Sequence, residues 1–201
     1  MKKIPMTDEK AMAERMILMA ETPKDTTGTI GTGRVVSLNL SPRKTMRKTP
    51  QESATLILDR GFEGDAHAGD WHRQVSMLAI ESIKKMQDKG LDVGPGDFAE
   101  NITTEGIDLM ALPIGTLVRV GYAELELSQI GKICHTKCAI YYQAGDCVMP
   151  REGIFFVVRT PATITVGDTV EVIRLGDGTC KANYQDSNDI SAQPPLSKQA
   201  D

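Results

Sequence analysis

The stretch GKICHTKCAIYYQAGDC, residues 131–147, holds three of the chain's four cysteines, two lysines and one of its three histidines. Three kinds of chemistry suit such a cluster: a metal site, a disulfide or a reactive thiol. Cys134 and Cys138 stand four apart, with Cys147 and His135 close by in sequence. A structural zinc site uses this kind of knuckle but matches it with a second pair of ligands, and that pair is missing here. His135 also adjoins Cys134, where two side chains rarely reach one ion. Four cysteines in 201 residues fall far below the density of a disulfide scaffold. The ordinary fate of a free cysteine is burial without chemistry. Against that reading, Lys132, His135 and Lys137 place positive charge beside Cys134, a setting that favours thiolate. The residues alone leave an inert and a reactive Cys134 both open, with Cys138 and Cys147 as candidate metal ligands.

Two further stretches are dense in polar groups. PRKTMRKTP (42–50) brings Arg43, Lys44, Arg47 and Lys48 together with no acid, which suits a bound phosphate and equally a solvated loop. GDAHAGDWHR (64–73) offers Asp65, His67, Asp70, His72 and Arg73. Such carboxylates and imidazoles bind hard metals or move protons, and they also pin glycine loops by capping backbone N–H groups. In GDFAEN (96–101), Glu100 and Asn101 flank a glycine turn, and Asn101 is expected to hydrogen-bond backbone or ligand. Trp71 reads as a plug in the glycine loop or as a stacking partner.

Rigid elements must hold these loops. TGRVVSLNLS alternates apolar and polar residues and predicts a strand; SATLILDRG (53–61) predicts another. QVSMLAIESIKKMQDKG (74–90) spaces its apolar residues as a helix closed by Gly90 would. Residues 91–115 are rich in turn signals and read as irregular. TLVRVGYAELELSQIG (116–131) predicts two strands with a tight turn at Gly121–Tyr122, and residues 153–175 predict two or three more. Many short strands, few helices and frequent glycine turns point to a mainly β protein built as a closed or nearly closed barrel. The expected layout is an N-terminal extension over 1–29 with a short helix near 8–20, a barrel domain over 30–175, and a tail over 176–201 poor in core-forming residues.

Composition narrows the function classes. A net charge of −4 gives nucleic acid no basic field to follow. No run of residues suits a signal peptide or a membrane span, so a cytoplasmic protein with reduced thiols is expected.

Taken in order, GRVVSLNLSPRK (33–44), DRGFEGDAHAGDWHRQVSMLAIESI (59–83), GDFAENITTEGIDL (96–109), LPIGTLVRVGYAELELSQIGKICHTKC (112–138) and VGDTVEV (166–172) resemble the MOSC domain. That module closes molybdenum cofactor sulfurases and also occurs as stand-alone bacterial proteins. The resemblance covers about residues 30–174 and implies a β-barrel with a few helices. It also implies that Cys134, matching the family's cysteine after a barrel strand, carries persulfide sulfur or meets molybdenum. Gly131 and Ile133 stand where the commoner family form has Arg and Pro, and Cys138 and Cys147 are additions that many relatives lack. The implied ligand is the molybdenum cofactor. The resemblance covers Asp65, His67 and Arg73 as pocket-lining residues; Arg43, Lys44, Asn101, Lys132 and His135 complete the expected cofactor-binding set.

In sulfurases a pyridoxal-phosphate domain loads the sulfur. Nothing here resembles it, so no pyridoxal-phosphate site is expected, and the sulfur would come from a partner cysteine desulfurase. A molybdoenzyme is the other expected protein partner, with no nucleic acid and no membrane. Stand-alone relatives allow a reductase that uses the cofactor itself, for example on N-hydroxylated compounds. Two alternatives remain: a non-catalytic delivery module, and a zinc- or redox-sensing protein using Cys134, Cys138 and Cys147.

Overall fold

The computed structural model describes residues 31–44, 46–134 and 139–180. The helix expected near 8–20, and the roles expected of His135 and Cys138, lie outside the described residues. Eleven strands are formed: β1 (Thr32–Leu40), β2 (Thr49–Gln51), β3 (Ser53–Ile57), β4 (Gly61–Phe62), β5 (Val75–Ala79), β6 (Ile102–Glu105), β7 (Leu117–Val120), β8 (Ala123–Ile130), β9 (Ile154–Thr160), β10 (Thr163–Thr165) and β11 (Thr169–Arg174). The helices are α1 (Ile80–Gln87), α2 (Ala139–Ala144) and α3 (Met149–Glu152), with a 3-10 turn at Leu109–Ala111.

Seven strands run β11-β7-β8-β9-β5-β6-β1, and β1 pairs back onto β11, which closes the barrel. All the neighbours are antiparallel except β5 and β6. Strand β2 extends β1, and β10-β3-β4 form a small separate sheet. Closure leaves the barrel without a free edge, which protects a sheet of short strands from pairing with another chain.

Side chains on adjacent strand residues point to opposite faces. Met77 and Phe156 accordingly join Val35, Leu38, Ile102 and Leu125 inside the barrel. Leu78 and Phe155, one position away, fall on the outer wall in a second cluster with Ile83, Met86, Phe98 and Ile140. This two-sided burial explains where the sequence expectation departs from the structure. Residues 75–79 form a strand, and the helix begins only at Ile80. A strand covered on both faces is continuously apolar, so its period cannot be told from that of a buried helix.

The second departure is β6, a barrel strand within the stretch expected to be irregular. Its Ile-Thr-Thr core was outweighed by the glycines on either side. Elsewhere the turn at Gly121–Tyr122 joins β7 to β8 as expected, and Gly121 takes φ +56°. Residues 176–179, expected in the tail, lie against the start of β7: Gly176 N donates to Thr116 Oγ1 at 3.0 Å and Gly178 N to Ile114 O at 3.0 Å.

Candidate functional site

Three loops converge on the outer wall of the barrel, and hydrogen bonds tie them together. The loop after β8 carries Cys134, which is exposed. It turns sharply at Gly131, whose φ of +71° and close approach to the Pro150 carbonyl leave no room for a side chain. Gly131 N donates to Gly153 O at 2.7 Å and Lys132 N to Pro150 O at 3.2 Å, so α3 fixes the base of the cysteine loop.

The glycine-rich loop 64–73 is laced to itself and to β8. His67 N donates to Asp65 Oδ1 at 3.0 Å, and Trp71 Nε1 donates to His67 O at 2.9 Å. At its far end His72 Nε2 meets Gln129 Oε1 at 2.7 Å, Ser128 Oγ donates to His72 O, and Gln129 Nε2 donates to Gly131 O at 2.7 Å. The glycine loop and the cysteine loop thus share one strand end. Arg73 spreads its guanidinium 4.8 Å from the centre of the Trp71 ring and 6.0 Å from that of Phe155. Its Nε is buried and makes no hydrogen bond among the described residues.

Beneath the loops lies a buried ion pair. Lys48 Nζ donates to Asp65 Oδ2 at 2.5 Å, with both side chains only 1% exposed. Ser41 N donates to the same carboxylate oxygen at 3.1 Å. Burial works against the charge on Asp65, but the contacts from His67 and Lys48 outweigh it and hold the carboxyl well below the usual carboxylate range. Burial likewise dominates Lys48 and lowers its pKa, against the pull of Asp65 and Glu100. The pair is asymmetric: several donors converge on Asp65, whereas Lys48 gives up more hydration than Asp65 returns. Lys132 adds to the lowering at Lys48, which places its charge within electrostatic reach of the pair.

Glu100 is wholly buried nearby. Its Oε1 accepts from Gly96 N at 2.5 Å and Thr103 Oγ1 at 2.9 Å, while Oε2 has no hydrogen bond among the described residues. Burial raises its pKa above the ordinary value in spite of those donors.

The expected residues therefore divide. Cys134, Lys132, Arg73 and His67 are at least partly accessible around the converging loops, and Arg43 and Lys44 are exposed on the loop after β1. Lys48, expected to be a phosphate-binding side chain of the basic loop, is instead the buried partner of Asp65, and Arg47 pairs with Asp97 at 3.2 Å. Asp65 is buried and ties the basic loop to the glycine-rich loop through Lys48, Ser41 N and His67 N. Asn101 serves the scaffold too: its Oδ1 accepts from Ser76 N at 3.1 Å and Ser76 Oγ at 3.0 Å. Cys147 is buried in the outer cluster. No group of three or more His, Cys, Asp and Glu side chains that could hold a metal ion exists among the described residues. The Ser128–Gln129 latch and the Trp71–Arg73–Phe155 stack carry no sequence signature, since each joins the glycine-rich loop to a strand distant in sequence.

A closed seven-strand barrel with a few short helices defines the fold class. The MOSC domain family matches residues 64–171, more than half of the chain, and the chain belongs to that family. Solved structures agree in fold. The YUAD protein from Bacillus subtilis is 19% identical with a TM-score of 0.60, over 70% of this chain and 95% of its own. YiiM from Geobacillus stearothermophilus is 19% identical with a TM-score of 0.56, over 74% of this chain and 78% of its own. YiiM from Escherichia coli is 20% identical with a TM-score of 0.53, over 73% of each chain. None of the curated proteins matches this chain. Among the described residues no helix is long and apolar enough to cross a membrane.

Proposed function

We propose that this MOSC protein binds the molybdenum cofactor or carries persulfide sulfur for it, with Cys134 as the sulfur carrier or the soft ligand to molybdenum. The observation that carries the reading is the exposed Cys134 thiol, held at a strand end beside Lys132 and the loop bearing Arg73.

The residues present suit the cofactor's chemistry. Its phosphate needs cationic donors, which Arg43, Lys44 and Lys132 offer, and molybdenum takes thiolate sulfur as a soft ligand. Arg73 Nε is buried with no partner among the described residues, and its guanidinium stacks on Trp71, so it is preset as a donor for an anion. The cofactor would supply two-electron redox chemistry at its metal. Arg43, Lys44, Arg73 and Lys132 would hold its anionic groups and Cys134 its metal, while the Asp65–Lys48 pair ties the basic loop to the glycine-rich loop.

As a carrier, the Cys134 thiolate attacks the outer sulfur of a donor persulfide on a partner desulfurase. The donor's S–S bond breaks, a new S–S bond forms at Cys134, and the donor leaves as thiolate. One thiol proton goes to solvent and one returns to the donor, with no net oxidation.

The test is mass spectrometry after incubation with a cysteine desulfurase and cysteine, together with molybdenum and pterin analysis of the purified protein. A gain of one sulfur mass that dithiothreitol removes and Cys134→Ser lacks supports the carrier role. Cofactor retained by the wild type and lost in Cys134→Ser supports the ligand role. A delivery module would keep cofactor in Cys134→Ser, and stoichiometric zinc without molybdenum or pterin would count against the whole reading.

A further inference from the structure

A cavity of about 490 Å³ opens in the barrel mouth where β5 and β6 end and β9 begins. No residue lining it comes from the cysteine loop, the glycine-rich loop or the basic loop. Its walls are the apolar side chains of Ile107, Leu109 and Met110, with Ile154 at the barrel end. The volume is in the range of small-molecule pockets, which combine apolar walls with a few directed polar groups.

The most buried polar side chain among the cavity's lining residues is Thr104. It is wholly buried, lines the cavity, and its Oγ1 makes no hydrogen bond among the described residues. It lies two residues from Ile102, which packs in the barrel interior, so the pleat aims the Thr104 side chain inward as well. A buried hydroxyl without a partner is uncommon and is often met by a ligand or a water.

The rim has a sign. Glu81, Asp108 and Glu152 supply three carboxylates against the one ammonium of Lys85. Lys85 Nζ is already spent on Glu152 Oε2 at 2.9 Å, the oxygen that also accepts from Ser82 Oγ at 2.5 Å. Among the described residues Glu81 and Asp108 accept only backbone bonds, from Gly106 N at 3.2 Å and Met110 N at 3.1 Å, which leaves neither carboxylate with a cationic partner there. We propose that the mouth binds a small organic cation: a compact apolar or aromatic body with an ammonium at the rim and a hydrogen-bonding atom facing Thr104.

Tyramine is a suitable probe, with phenethylamine lacking the hydroxyl and 3-(4-hydroxyphenyl)propionate reversing the charge. Amide-resonance titration of the full chain should show tyramine shifting Thr104 through Met110. The anion should bind at least about tenfold more weakly, as expected when attraction turns into repulsion. Thr104→Val, which keeps the shape and removes the hydroxyl, should weaken tyramine about 3- to 10-fold and leave phenethylamine unchanged. Cys134→Ser should bind tyramine as the wild type does, so failure here is separable from failure of the cofactor reading. The proposal is overturned if tyramine moves none of these resonances at 10 mM (about the weak end of measurable binding), if the anion binds as tightly, or if Thr104→Val affects both amines equally. Asp108→Asn, an exposed change, serves as a second variant: it should weaken both amines, and equal binding would count against the charge argument.

Discussion

Two buried ionisable sites decide how this molecule answers to pH and to mutation. Removing one member of a buried pair strands the other charge, so Asp65→Asn should cost about 3–5 kcal/mol in urea unfolding, while Lys48→Met with Asp65→Leu should cost much less. The carboxyl of Asp65 lies below its ordinary 3.8 in the folded state, so its stabilisation is present above that pH and is lost as the pH falls beneath it. Glu100 behaves oppositely. Its folded pKa is raised from 4.5 by burial, so its contribution is full below 4.5 and is lost as the pH rises through the folded value. Glu100→Gln should therefore match wild type near pH 4.5 and be the more stable at about pH 8, as urea midpoints at the two pH values would show. A wild type that gains stability over that range relative to the variant would contradict the assignment.

Among the elements, the connection from β8 into the cysteine loop turns on one glycine. Gly131 sits in the left-handed region with the Pro150 carbonyl against the place of a Cβ. Gly131→Ala should cost about 1–3 kcal/mol for the backbone alone, and the displaced turn should change the rate at which iodoacetamide alkylates Cys134. An unchanged rate would mean that the turn does not position the thiol. Sequence patterning located β8 and its hairpin turn at Gly121–Tyr122, because a hairpin with a glycine corner is a local signal. It misassigned β5, because residues 75–79 are buried from both sides and local period carries no information about what covers each face.

Over the whole molecule, β9 joins the two apolar clusters: Phe156 faces the barrel interior and Phe155 the outer wall beneath the helices. Phe156→Ala should cost about 3–5 kcal/mol. Because one strand serves both clusters, Trp71 fluorescence and far-ultraviolet circular dichroism should report a single coincident unfolding transition. Separated midpoints would show that the outer wall unfolds on its own. Closure of the ring depends on the short β1–β11 seam, Thr32 to Arg34 against Thr169 to Glu171, which ties the first barrel strand to the last.

Residue types and their order determined that this chain forms a mainly β barrel, which strand ends its chemistry-bearing loops follow, and that Cys134 stands among cations. Those properties are local: alternation, glycine corners and neighbouring charge are written along the chain. Only the tertiary structure decided that Lys48 turns inward to Asp65, that Arg73 lies on Trp71, and that Thr104 faces a cavity with no hydrogen-bond partner among the described residues. Each depends on elements far apart in sequence meeting across a closed wall, and burial, which sets the worth of a charge or a hydroxyl, exists only once that wall has closed.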